Sequence, residues 1–574
     1  MGTRARSFRP LALATALAVL LAACGPSGPS GTSPTSGEGT PQQGGRIIEG
    51  SFSDIKTLQP ILVSDNPSSG VTALLYDSLV YIEPKSGEIK PNLGKWTLSS
   101  DGLTYTWQIR ADANWSDGKP VIAEDFLTGV KAIARSKKTV RKSSYTDVAG
   151  FNDYQSGKSE QISGIKIDSA DPKKFTVTFT RVFCPALVNA FGSNYILPTQ
   201  VFGKYVTPTS TDEIDLAPEN TEPKVVNGPF TFSEWRKGDQ VILKRNAAYW
   251  DGAPYVDEYV YKVVADATVL AAQLKTGELN YGPVEPKDLA DIDAQPYLKS
   301  YKWQQLNYTY IGWNVKSQTA PALQDKRVRQ ALAYGLDMDA VVRSVLLGQG
   351  TKQVAHHVPA SWASPGAANL NQYAFDRNKA EDLLKQAGYA KGTDGVYAKD
   401  GKALEFSIVA NSGNKIRETL LQVATEQYKQ IGVKVNPKVE AFETMVDKLT
   451  TGNQEIQAWI IGWALGAEPD PQGIWHSSQI PDPAKKTTGF NFGAFSNPEF
   501  DRAIDQGRTP SDGNCSQEAR KKHYETFNKI LNEEQPYNFG FSPNAIWVIS
   551  DKMRGYDPGP FGHRWNIHKW WYTK

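Results

Sequence analysis

Apolar and polar residues alternate through Leu103, Tyr105, Trp107 and Ile109, with Thr104, Thr106, Gln108 and Arg110 between them. A period of two predicts a strand with one buried face. The turns Asp101-Gly102 and Asp117-Gly118 bracket it. Phe175, Val177 and Phe179 repeat the pattern after the turn Asp171-Pro172, and predict a hairpin with Ile165 and Ile167. Val241-Ile242-Leu243 is a further strand.

The period then lengthens. Asp325 can cap a helix carrying Val328, Ala331 and Leu332; Asp337 can cap the next, with Val341, Val342, Val345 and Leu346 before Gly348. Ala380, Leu383, Leu384 and Ala387 keep helical spacing up to Gly388. Leu404, Phe406 and Ile408 form a strand, and Ile416, Leu420, Ala424 and Tyr428 a long helix closed by Gly432. Val433 and Val435 start the next strand. Strand, helix, strand with a short return is a βαβ unit. The chain therefore reads as a strand-rich first half followed by a βαβ lobe from about 270 to 535.

The N-terminus changes the picture. Arg4, Arg6 and Arg9 precede an apolar run from Leu11 to Ala23. The run is shorter than the roughly 20 residues that span a bilayer, and fits a secretory signal peptide over residues 1–23. Leu21-Ala22-Ala23-Cys24 resembles a bacterial lipobox, which implies that Cys24 carries lipid. Residues 24–45 are rich in Gly, Ser, Thr and Pro and bury too little to order, so they read as a flexible tether.

Lys and Arg number 63 against 61 Asp and Glu, so no basic stripe for nucleic acid stands out. The roughly 530 residues beyond the tether exceed one core, and two or three lobes are expected. There is no P-loop, dinucleotide fingerprint, H-E-x-x-H, C-x-x-C or G-x-S-x-G. His356-His357 reads as a solvated loop pair. For Cys184 and Cys515 two readings stay open, a disulfide or two buried thiols.

LYDSLVYIEPKSGEIKPNLGKWTLSSDGLTYTWQIRADANWSDGKPVIAEDF, residues 75 to 126, resembles the solute-binding proteins of ABC importers of the peptide/nickel family. So do NGPFTFSEWRKGDQVILKRNAAYWDG from Asn227, DKRVRQALAYGLDMDAVVRSVLLGQG from Asp325, DRNKAEDLLKQAGY and GFNFGAFSNPEFDRAI, all in family order. The resemblance implies an α/β, two-lobed periplasmic-binding-protein fold of class II. Its hinge is crossed twice, and an extra domain is inserted in lobe one. Lobe one is then 46–265 with the insertion at about 75–200, lobe two 266–540, and 541–574 the return to lobe one. The crossings fall near Val264–Asp266 and Pro536–Phe541. It also implies a monomer that captures oligopeptides, without cofactor, metal or catalytic residue. A permease and an ATPase would take the peptide from it. Lipid on Cys24 would hold it on the extracytoplasmic face of the cell membrane. An oligosaccharide or a nickel complex is the other ligand within the fold.

The resemblance also places the site. Gly462-Trp463 aligns with the strand that precedes the acid holding the peptide amine. The enteric position of that acid is Gly466 here, but GWALGAEPDP has the longer form of the motif, with Glu468 and Asp470 as the candidate anchors. Asn66, Tyr310, Trp313, Asn314, Asn411 and Phe442 are the remaining pocket candidates. The Arg and His residues that fix the peptide carboxylate in some relatives have no evident counterpart. A rival from another class is a surface hydrolase using Glu468 and Asp470, whose carboxyls could come within about 5–7 Å if the segment were a strand.

Overall fold

The computed structural model describes residues 39–573 apart from 194, 208–212, 265 and 367–368. The signal peptide, Cys24 and the tether up to residue 38 lie outside the described residues. Pro41–Lys574 form one compact unit.

Two sheets share one long strand. The strands that build the two lobes' junction and the cleft wall are β1 (Arg46–Ser51), β2 (Leu298–Gln304), β3 (Asn307–Trp313), β4 (Glu405–Asn411), β5 (Ala458–Ala464) and β6 (Tyr537–Ser550). In lobe one the order is Phe230–Arg236, Gln240–Arg245, Glu258–Val263, β1, Tyr281–Pro283, then the second half of β6, with β2 on its far side. In lobe two it is Lys434–Glu440, β4, β5, β3, then the first half of β6. Ile311 faces Asn538 across the lobe-two junction, and Tyr281 faces Ile549 in lobe one.

The expected boundary is thereby corrected. Residues 266–304 do not belong to lobe two. Tyr281–Pro283 and β2 pair with β6, and Leu270, Leu274, Leu279, Ile292 and Leu298 pack with Val264 and Val548. The chain crosses at Gln305–Leu306, between β2 and β3, and returns inside β6 at Ser542–Asn544. Two crossings remain, but on neighbouring strands. Periodicity shows a strand after a helix without saying which sheet it joins, and long-range pairing decides that.

The inserted domain also runs further than residue 200. Leu75 O accepts from Asn227 N at 3.1 Å and Gly228 N at 2.8 Å, closing the insertion at its neck. Inside it, Gly94–Leu98, Thr104–Ile109, Lys174–Thr178 and Ile165–Ile167 form an antiparallel sheet. Ile165 faces Val177 and Ile167 faces Phe175, the expected hairpin. Trp107 is fully buried, 4.7 Å from Phe191 and stacked on Phe175. Truncating such a ring costs about 3–5 kcal/mol.

Five helices matter for the site: α1 (Asn66–Leu75), α2 (Lys415–Gln430), α3 (Phe442–Thr450), α4 (Pro498–Arg508) and α5 (Gln517–Glu534). Asp325 and Asp337 cap the helices they were expected to cap, accepting from Arg327 N and Ala340 N. The lobe-two sheet has two apolar faces, as period two requires. Ile311, Trp313, Ile408 and Ile460 pack against Leu420, Ala424 and Tyr428 of α2. Tyr308, Tyr310, Trp459 and Ile461 pack against α3 and α5. This second face also receives Val140 and Phe561 of lobe one, so it turns toward the other lobe.

Candidate functional site

The two lobes meet around a cleft. Lys56 of lobe one pairs with Asp447 of α3, and Lys415 at the start of α2 pairs with Asp266 at 3.1 Å. Thr488 Oγ1 donates to Lys138 O at 3.0 Å, and the Arg141 guanidinium lies 6.0 Å from the Phe490 ring centre. Asn66 is exposed at the first position of α1, next to its cap Asp65. Burial pushes the Asp65 carboxyl upward, and Glu443 adds to the shift from across the cleft. Asn66 and Phe442 therefore start two helices that face each other.

The lobe-two wall is an unfinished sheet edge. β5 pairs with β3 over its whole length, from Ala464 opposite Asn307 to Ala458 opposite Trp313. It pairs with β4 only from Ala458 to Ile460. Among the described residues, no strand pairs with Ile461–Ala464 on the β4 side. Trp463 stands on this stretch, stacked 5.2 Å from Phe492 and 5.3 Å edge-on to Phe490. Tyr310 lies behind it at 6.4 Å and stacks on Tyr537 at 3.9 Å.

Beside the open edge sits Arg417. Its Nη1 donates to Asn411 Oδ1 at 2.7 Å. Its Nε is buried without a hydrogen-bond partner among the described residues, and no carboxylate there forms an ion pair with it. Burial pulls this guanidinium down to about 10. Gly462 makes room for it: a Cβ there would stand 3.1 Å from Arg417 Nη2 and 2.9 Å from Tyr308 O. The resemblance did not point to Arg417. One signal in the sequence could have done so. Lys415 and Arg417 lie in the first turn of α2, where the helix dipole disfavours cations.

Glu468 and Asp470 already have partners. Arg520 of α5 forks onto Glu468, with Nη1 donating to Oε2 at 3.2 Å. Arg520 Nε also donates to Gly507 O at 2.6 Å. Burial raises the Glu468 carboxyl while Arg520 opposes the shift. Asp470 lies 3.3 Å from Arg508 Nε and accepts from Asn189 Nδ2 at 3.0 Å. The structure thus occupies both expected amine anchors with guanidinium groups. Their partners come from helices far along the chain, which the motif does not reveal. The prolines also keep this segment out of strand geometry: it follows β5 as a loop into a short helix, Gln472–Trp475.

The remaining candidates divide. Gly462, Trp463, Tyr310 and Asn411 gather around the open edge with Arg417. Trp313 and Asn314 do not. Trp313 lies at the other end of β3, on the α2 face, edge-on to Phe406 at 5.9 Å. Asn314 Nδ2 donates to Gln454 Oε1 at 3.3 Å and to Ile456 O. The histidine pair is buried rather than solvated, each residue 2 % exposed. Tyr308 OH and Trp475 Nε1 hold His356 Nδ1 at 2.9 and 3.0 Å. His357 Nε2 pairs with Pro469 O at 2.8 Å, and Asn528 Nδ2 with His357 Nδ1 at 2.9 Å. Burial draws the His357 imidazole down to about 4.

A two-lobed unit with an unfinished edge in its cleft has close relatives. The family model for bacterial extracellular solute-binding proteins, family 5 (middle region), matches residues 88–483. The chain belongs to this family. Family 5 members are solute-binding proteins, not enzymes. The chain is 31 % identical over 577 residues to the oligopeptide-binding protein AppA of Bacillus subtilis, covering 100 % of both chains. The structure of that AppA with a nonapeptide superposes with a TM-score of 0.84 at 29 % identity, covering 93 % of this chain and 100 % of that one. NikZ of Campylobacter jejuni, solved with Ni(L-His), shares the fold with a TM-score of 0.78 at 24 % identity, covering 91 % and 99 %.

Proposed function

We propose that this family 5 protein captures an oligopeptide between its lobes, as an extra strand on the open edge of β5, and releases it unaltered to an ABC importer. The observation that carries this reading is the unpaired stretch Ile461–Ala464 beside Arg417, whose Nε is buried without a partner and which pairs with no acid among the described residues. A strand edge binds main chain and so accepts many sequences. The guanidinium offers its fork to a carboxylate, the C-terminal group of the bound peptide. Trp463 supplies a flat apolar face beside the added strand. The AppA relative, an oligopeptide-binding protein, supports the same ligand class. Lipid on Cys24 and the tether after it would hold a monomer on the extracytoplasmic face, within reach of its permease.

Native mass spectrometry of freshly purified protein tests the ligand class, with peptide masses expected on the folded ions. Calorimetry then compares a bound peptide with its C-terminal amide. The amide is expected to bind at least ten-fold more weakly. Equal affinity removes the role of Arg417, and a sugar or a metal complex in place of peptide removes the reading itself.

A further inference from the structure

Cys184 and Cys515 are joined by a disulfide. Cys184 follows the strand Lys174–Thr178 in the inserted domain of lobe one, and Cys515 lies between α4 and α5 of lobe two. The bond is therefore a third covalent link between lobes already joined by two strand crossings.

Polar contacts between the same two parts surround it. Cys184 N donates to Arg508 O at 2.9 Å, and Arg508 Nη2 donates to Ser143 O at 2.9 Å. The Arg508 guanidinium lies 4.8 Å over the Phe183 ring, and Asn189 reaches Asp470. Arg508 is 3 % exposed. The rim over β4 is built differently. There Lys56–Asp447 and Lys415–Asp266 pair through side chains that remain partly open to water. Exposed pairs of this kind hold weakly.

The two crossings lie on neighbouring strands and act as one pivot. Two bodies joined at one pivot can open toward any side; a second fixed point leaves rotation only about the line through both. We infer that the Cys184–Cys515 bond, with Arg508 and Asp470 around it, is a clasp that keeps its own rim shut through the binding cycle, so that the cleft opens at the rim over β4. Passage of peptide through that rim rests on the function proposed above; the restricted motion does not.

Amide hydrogen exchange on the ligand-free protein tests the motion without any peptide. In a Cys184→Ser/Cys515→Ser variant, exchange across residues 183–190 and 508–516 is expected to rise at least ten-fold, while α1 and α3 keep their rates. Wild-type protein reduced with a phosphine and capped with iodoacetamide gives the same comparison without substitution. Unchanged exchange at the clasp, or an equal rise at both rims, overturns the inference. Where a peptide is bound, its dissociation is expected to quicken about ten-fold in the variant, and an unchanged rate counts against the clasp.

Discussion

Arg417 is half-buried and Glu468 nearly covered in the same wall of lobe two, and their surroundings treat them in opposite ways. Glu468 belongs to a recognisable motif and is fully answered from within the chain by Arg520. Arg417 belongs to no expected motif, and among the described residues its environment offers one amide oxygen and no paired acid. A guanidinium Nε buried without a hydrogen-bond partner is costly to fold, and the proposed function gives that cost an outside partner. Glu468, which needs Arg520, lies six positions after Gly462, which makes room for Arg417. Chemistry of side chains at this distance in sequence says little until the partners are known.

The comparison can be broken most directly at Arg520. Arg520→Met leaves Glu468 buried and unpaired, and an unfolding free energy lower by about 3–5 kcal/mol is expected in urea titrations. A loss below about 1 kcal/mol would return Glu468 to the candidates for a ligand anchor. The matching change at Arg417 should act on binding instead. Arg417→Met is expected to weaken peptide affinity by about 2–5 kcal/mol with folding stability unchanged or higher. A fall in stability with affinity intact would make Arg417 structural.

The histidine that holds Pro469, next to Glu468, sharpens the same contrast through pH. His357 has its imidazole depressed from 6.5 to about 4. The unfolded chain therefore takes up the proton first, and stability contributed by neutral His357 is present above pH 6.5 and lost as pH falls toward 4. The drop is about 3 kcal/mol. Urea midpoints of His357→Gln should fall less over that range than those of the wild type. Gly462→Ala places a Cβ 2.9 Å from Tyr308 O and 3.1 Å from Arg417 Nη2. A stability cost of about 1–3 kcal/mol is expected, with weaker peptide binding; full tolerance would show that the edge has more room than the contacts indicate. The smallest effect belongs to the exposed rim: Asp447→Asn should change stability by less than about 1 kcal/mol.

Much of the lobe-two wall was legible in advance. β4, α2 and the strand after them follow from Leu404, Phe406 and Ile408, then Ile416, Leu420, Ala424 and Tyr428, because one-sided burial imposes its period on the sequence. The hairpin of Ile165 and Ile167 with Phe175 and Val177 was legible for the same reason. Trp463, named from its motif, stands on the open edge, whereas Trp313, named separately as a pocket candidate, packs on the α2 face. His356-His357 was misplaced because adjacent histidines carry no periodic signal, and only the packing of Trp475, Tyr308 and Asn528 around them reveals burial.

What the sequence determined by itself was local or repeated along a segment: the strands, the capped helices, the two-lobed family fold and the Gly462-Trp463 stretch. Tertiary structure alone decided which sheet receives residues 266–304, which arginine answers each acid, where β5 loses its neighbour, and that Cys184 meets Cys515 across the lobes. The reason is physical. Period and capping depend on neighbours within a few residues, whereas strand partners, counter-charges and disulfides are set by contacts between segments that only the folded chain brings together.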